Sequence, residues 1–271
     1  MTANSSFFPT ILPDIFLSRL VAELDDDTVR AIILRGSYAR GDAVPPFSDV
    51  DLTRIIQETS GSHLPKYYVW REGYAVSVSS HSYAGYRERL QRPQEAIFAV
   101  TGIQEARILL DKDMAFSAFQ QEAINFQWEP LQKAANIYAG QVLMNQVEII
   151  LKVLRALRLQ DTILLSDVLT LNLIPDITQA FAVQRGVLVK SGNTYFYQVQ
   201  EKAGLQSAWT RHHQLALGID VETPPSLKTR GIAALRLFQE TARLLYPHIQ
   251  IEHWQAVEPL LDLIDRELVM E

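Results

Sequence analysis

Gly36-Ser37-Tyr38-Ala39-Arg40-Gly41-Asp42-Ala43-Val44-Pro45-Pro46-Phe47-Ser48-Asp49-Val50-Asp51-Leu52 is the stretch whose reading decides the fold of this chain. Just upstream, Val29 to Leu34 is mostly aliphatic and predicts a buried strand running straight into Gly36-Ser37. A helical turn should carry Ala39 and Arg40. A loop containing glycine and prolines follows, and Ser48 to Leu52 opens a second strand, expected to run to Ile56. Side chains alternate along a strand, so Asp49 and Asp51 share one face while Val50 and Leu52 take the other. Two neighbouring carboxylates repel unless a cation lies between them. Hard divalent ions with oxygen ligands are the usual answer, and Mg²⁺ needs only one or two carboxylates plus substrate phosphates. Gly36 lets the backbone come close to a phosphate, and Ser37 with nearby N–H groups can bind its oxygens. The plainer alternative is a polar hairpin with two exposed acids.

Gly36, Ser37, Arg40, Gly41, Ser48, Asp49, Asp51 and Leu52, in this order between two strands, resemble the signature of the polymerase-β-type nucleotidyltransferases. That signature is a glycine-serine pair, a short helix and an Asp-x-Asp strand. The length, two-part layout and helical second half look most like the bacterial antibiotic (aminoglycoside and lincosamide) nucleotidyltransferases and their uncharacterised relatives. The resemblance implies Mg²⁺-dependent transfer of a nucleoside monophosphate from ATP to a hydroxyl of a small-molecule acceptor. It makes Asp49 and Asp51 the catalytic metal ligands. Gly36 and Ser37 become the triphosphate contacts, and Arg40 and Ser48 further nucleotide-binding candidates.

Composition narrows the partners. The 271-residue chain is long enough for one large or two modest domains, and 48% of it is hydrophobic, as in a compact protein. Its 25 basic and 31 acidic residues leave a net charge of −6. Nucleic-acid affinity comes largely from Lys and Arg neutralising phosphates, so a small or cationic acceptor suits the chain better than a nucleic acid. The absence of cysteine excludes disulfides and thiolate zinc sites and leaves the redox compartment open. No basic residue precedes Arg19, and Pro9 and Pro13 interrupt the N-terminus, which carries no signal-peptide core. The richest apolar run, Ile149 to Leu157, is broken by Lys152 and Arg155, so no membrane span is expected. The expectation is a soluble cytoplasmic protein without a membrane partner, with a homodimer left open.

The pattern along the chain predicts an α+β arrangement. A small mixed β-sheet nucleotidyltransferase domain with helices should cover residues 1–120. An all-α bundle for substrate binding or interaction should cover 121–271. Ile11 to Leu24 has helical spacing; Tyr67 to Trp70 and Tyr74 to Ser79 flank a tight Glu72-Gly73 turn and read as a hairpin. Gln57 to Pro65 reads as a loop, Tyr83 to Leu90 as a helix and Ala106 to Leu110 as a short strand. Later helices are expected over Pro130 to Leu159, Thr162 to Leu173, Ile177 to Arg185, Gln206 to Leu217, Thr229 to Tyr246 and Leu260 to Val269. Gly186 to Thr194 reads as irregular.

In the resembled families a third carboxylate on a later strand completes the metal site. The corresponding strand here, Tyr74-Ala75-Val76-Ser77-Val78-Ser79, presents Ser77 and Ser79 on one face and no acid. Three readings stay open: an acid from elsewhere, nucleotide binding with weak or no turnover, or a different strand alignment. The second half offers a polar stripe, Gln141, Asn145, Glu148, Lys152 and Arg155, on an otherwise aliphatic helix. If that stripe faces the nucleotidyltransferase cleft, Glu148 could be the general base and Lys152 could meet phosphates. Its other reading is a solvated face with an i,i+4 Glu148–Lys152 pair. Arg243 and His248 also match the loose Arg-x4-His spacing of helical ribonucleases, but Pro247 lies inside the motif.

Overall fold

The computed structural model describes residues 10–57, 65–219 and 223–269; most of the loop expected from Gln57 to Pro65 lies outside them. The chain forms two compact units that divide between Gln127 and Trp128. A boundary at residue 120 would instead cut the helix Ala115–Ile124.

The first unit runs α1 (Asp14–Leu24), β1 (Val29–Arg35), α2 (Gly36–Arg40), β2 (Val50–Ile56), β3 (Tyr67–Arg71) and β4 (Tyr74–His81). It continues with α3 (Tyr83–Gln91), α4 (Pro93–Gln104), β5 (Arg107–Asp111) and α5 (Ala115–Ile124). The five strands lie in the order β3-β4-β2-β1-β5. β2 and β4 pair in parallel and the other neighbours antiparallel, so the sheet is mixed. Alternation assigns the faces. Leu34, Val50, Leu52, Val76 and Val78 join Phe16, Leu17 and Leu20 of α1 in one core. Ala31, Ile33 and Ile55 meet Tyr86, Ile103, Phe116 and Phe119 of α3, α4 and α5 on the other side. The β3–β4 hairpin closes through Glu72 and Gly73 at φ 51° and 85°. Two positive φ values in a two-residue loop give the I′ geometry that matches strand twist.

α4 was not foreseen. Its sequence, PQEAIFAVTGIQ, is apolar nearly all round and buries Ala96, Ile97, Ala99, Val100 and Ile103. Such a run lacks the one-sided period that marks a surface helix. Pro93 starts it where a missing N–H costs nothing.

The second unit is all-α. After a 3-10 turn (Glu129–Leu131) come α6 (Gln132–Leu159), α7 (Thr162–Val168), a wide π turn (Leu169–Leu173) and α8 (Ile174–Gln184). α9 (Tyr195–Ala203), α10 (Ala208–Leu217), α11 (Leu227–Leu245) and α12 (Ile251–Val269) follow. α6 packs against α7, α8, α11 and α12 through Ala135, Ala139, Leu143, Ile150 and Val153. The stretch Glu129–Leu159 spans 31 residues and is, by length and composition, apolar enough to cross a membrane. A core helix passes the same test, and α6 packs against four others here. α7, the π turn and α8 run on without a break. Pro175 lacks an N–H and its ring would clash with the carbonyl of Leu171, so the backbone widens just before it. α9, like α4, was not foreseen, and α12 begins well before Leu260, running through Pro259. In the core, the Thr178 hydroxyl and the Gln200 amide bond the two ring nitrogens of His213 at 2.9 Å each. Burial pushes this imidazole down to about 4, so it is a packed neutral histidine.

Candidate active site

β1, β2, β4 and β3 bring four residues into one row across the sheet. Arg35 pairs in register with Asp51, Asp51 with Ser77, and Ser77 with Tyr68. Cross-strand partners share a face, so all four side chains leave the sheet on the side of α3, α4 and α5. Asp51 is at the centre of the row. Its Oδ1 accepts a hydrogen bond from Ser77 Oγ at 2.5 Å and has Lys66 Nζ at 3.6 Å. The next row repeats the pattern without charge, Thr53 and Ser79 sharing a hydroxyl–hydroxyl bond of 2.8 Å.

Gly36 closes the other side. Its φ is +69°, and a Cβ built there would lie 2.6 Å from Asp51 Oδ2. Only glycine therefore lets the β1–α2 turn press its backbone against the carboxylate. Ser37 follows on α2, its carbonyl accepting from Gly41 and Asp42, while its hydroxyl makes no bond to a described residue.

Asp49 stands at the entry to β2, close enough to Asp51 for the two charges to repel. Desolvation and the charge of Asp51 raise its pKa, and Lys66, a backbone hydrogen bond and the Tyr68 hydroxyl offset that in part. Burial alone would lower the pKa of Lys66. The bond it donates to the Tyr68 oxygen and the two carboxylates outweigh it, and the ammonium is held charged above its ordinary value. Lys66 also lies 4.9 Å from the Tyr68 ring centroid. These two residues were missed by sequence reasoning. They border the loop between β2 and β3, and only strand register reveals that they return to the acids.

Arg40 is pinned on the near side of α2, with Nε 3.2 Å from Asp42 and Nη1 3.9 Å from Glu105. Ser48 Oγ accepts from the Val44 N–H at 2.8 Å and closes the loop before Asp49. Arg35 bonds the Tyr86 hydroxyl through Nη1 at 3.1 Å and lies over Gly102 of α4; its Nε is buried with no partner among the described residues.

Among the described residues no group of three or more His, Asp or Glu side chains could hold a metal ion. The available donor set is Asp49 and Asp51. Two carboxylates that repel each other fit Mg²⁺ completed by phosphate oxygens, the minimal form of such a site. Ser77 stands opposite Asp51, and its hydroxyl is bonded to that carboxylate.

In the second unit Glu148 and Lys152 bond each other at 2.6 Å, the glutamate side chain 75% exposed. Gln141 donates to Asn145 at 2.9 Å on the same stripe. Arg243 pairs with Glu240 and Asp265, and α11 ends at Leu245, before His248. The helix that a ribonuclease reading needs is therefore absent between those two residues.

No family model matches this sequence and no curated protein does. Solved structures do match. One is the crystal structure of a nucleotidyltransferase-like protein from Exiguobacterium sibiricum 255-15, which covers 94% of this chain and 80% of that one. The identity is 12% and the TM-score 0.49, a likeness too distant to carry an argument about activity.

Proposed function

We propose that this chain binds a nucleoside triphosphate, ATP in the first instance, with Mg²⁺, and transfers its nucleoside monophosphate to a hydroxyl of a small molecule, releasing pyrophosphate and the hydroxyl proton. The observation that carries the reading is Asp51, the centre of a polar cross-sheet row, with the Gly36 backbone against one oxygen and a second acid, Asp49, just ahead of its strand. Asp49 and Asp51 would hold the Mg²⁺, which when bound neutralises charge on the attacking and leaving oxygens. The chain's own residues position the phosphates. The Ser37 hydroxyl and the N–H groups of the β1–α2 turn are available to phosphate oxygens, and Lys66 supplies a fixed positive charge beside the acids. Phosphoryl chemistry of this class needs placement and electrostatics more than covalent help from the protein.

A second reading, a nucleotide-binding protein with weak or no transfer, is favoured by Ser77. A neutral hydroxyl bonded to Asp51 replaces the third acid of the resembled families, and general-base help is worth roughly 10²–10⁴-fold in rate. Glu148 is the remaining candidate for that base, and its carboxylate is exposed and bonded to Lys152.

The test is calorimetry of ATP with and without Mg²⁺, followed by turnover with aminoglycoside and lincosamide acceptors. ATP affinity should strengthen with Mg²⁺, and Asp49→Asn should remove most of that gain. Equal affinity with and without the ion would end the paired-carboxylate reading. Binding without turnover would select the second reading.

A further inference from the structure

β3 carries two aromatic side chains that the rest of the chain leaves open. Tyr68 is 60% exposed and Trp70 72%. As alternate residues of one strand they share a face. Tyr68 pairs with Ser77 and so ends the row that contains Asp51. Trp70 pairs with Ala75. β2 and β4 run parallel with Val50 opposite Val76, so the residue before one is level with the residue before the other. Trp70 is therefore level with Asp49, as Tyr68 is with Asp51. Two rings flank the two acids from two strands away.

The hairpin itself does not account for them. Aromatic side chains stabilise a strand pair by packing on large cross-strand neighbours, and here those neighbours are the small Ala75 and Ser77. β3 is also an edge strand, where a charge or a proline would guard the sheet better than an indole. The Tyr68 ring already has Lys66 4.9 Å from its centroid. Trp70 is the free one, since its ring stacks on no other described residue and its only hydrogen bond goes through its backbone carbonyl.

Position in the sheet suggests what the rings receive. The β1–α2 turn lies on one flank of Asp51 and β3 on the other. A nucleoside triphosphate with its phosphates at the turn and its α-phosphate at the acids extends its nucleoside towards β3. Neighbouring strands are about 4.8 Å apart, so β3 stands about 10 Å from β2. A base carried on its ribose spans that interval. Of the groups that could lie on an exposed indole, the base alone is tethered to the reacting phosphate. Every base has a π-face, and a neutral ring is not repelled by nearby carboxylates.

We infer that Trp70, with Tyr68 beside it, is the stacking platform for the nucleobase of the donor nucleotide. The inference rests on the Mg-ATP reading and adds a selectivity to it. Stacking senses ring area rather than the hydrogen-bonding edge, so the platform favours purine over pyrimidine nucleotides.

Calorimetry on the full chain with Mg²⁺ tests it by comparing ATP with inorganic tripolyphosphate, which has the phosphates and no base. Trp70→Ala should weaken ATP about tenfold and leave tripolyphosphate unchanged. Trp70→Phe keeps a ring and should recover most of the loss. UTP should bind the wild type more weakly than ATP, and that gap should narrow in Trp70→Ala. Equal ATP affinity in the wild type and Trp70→Ala would overturn the inference. An equal loss for tripolyphosphate would overturn it as well, since the change would then lie in the phosphate site. So would a loss of ATP binding that accompanies a shift from dimer to monomer in sedimentation, which would assign Trp70 to a contact between copies. Failure of the Mg-ATP reading is separate, because it shows in the wild type as ATP affinity indifferent to Mg²⁺.

Discussion

Two polar lines run through this molecule, one across the sheet and one along α6, and they behave oppositely. Arg35, Asp51, Ser77 and Tyr68 come from four strands and converge on one carboxylate. Gln141, Asn145, Glu148 and Lys152 come from one helix and satisfy each other in i,i+4 pairs. The helix needs no partner for its polar stripe. The sheet row, with Asp49 beside it, sets two acids against the single ammonium of Lys66, one of them with its pKa raised by burial and by its neighbour. Polar spacing in a sequence is thus weak evidence of a site by itself. An imbalance that the fold does not resolve internally is stronger.

The comparison can be broken or sharpened by substitution. The largest effect belongs to the centre of the row. Asp51→Asn should lower nucleotidyl transfer on the order of 10²-fold or more and abolish the Mg²⁺ dependence of ATP binding, in kinetics and calorimetry. Full activity in this variant would leave the row without a function. Gly36→Ala comes next, since its Cβ would lie 2.6 Å from Asp51 Oδ2 at a positive φ. Chemical denaturation should show a loss of about 1–3 kcal/mol, and the displaced carboxylate should lose metal affinity too. Ser77→Asp tests the missing acid. It should raise Mg²⁺ affinity about tenfold by adding a charge opposite Asp51, whereas Ser79→Asp, one row on beside Thr53, should not.

Asp49 makes a smaller, pH-dependent prediction. Its folded pKa is raised above the unfolded value. The folded state therefore binds the proton more tightly, and Asp49 disfavours folding once it is ionised. Metal-free stability should rise as pH falls through that raised pKa. At pH 7 Asp49→Asn should melt above the wild type without metal, and Mg²⁺ should narrow the gap. A variant that melts lower would show that burial does not strain this carboxylate. The smallest effect is predicted for the helix line. Glu148→Gln removes one exposed, screened pair and should leave turnover within about twofold. A fall of about 10²-fold would place the general base on α6 after all.

Much of the row was legible in the sequence, because it depends on local order. Gly36, Ser37, Asp49 and Asp51 lie within one strand–turn–strand passage, and β2 spans Val50–Ile56 as its alternation predicts. That the strand carrying Ser77 comes beside Asp51 was implied by the family resemblance and not by any pattern in the residues. Lys66 and Tyr68 were not foreseen, because β4 pairs with β2 in parallel and β3 then lies outside it. No local signal in the sequence announces that crossover. α4 was hidden by its apolar surroundings and α9 by its aromatic start, both places where periodicity loses contrast.

The parallel pairing of β2 with β4 has a consequence for how this protein comes together. Asp49 and Asp51 are neighbours even in an unfolded chain, whereas Asp51 and Ser77 are 26 residues apart and meet only when the sheet closes. Contacts of that separation carry loop-closure entropy that local contacts do not, and they set the pace of folding. A nascent chain would hold two bare acids before it holds Lys66, Ser77 and Tyr68 around them. Selective metal binding would then ripen with the sheet, and Mg²⁺ affinity followed during refolding would time the arrival of β4.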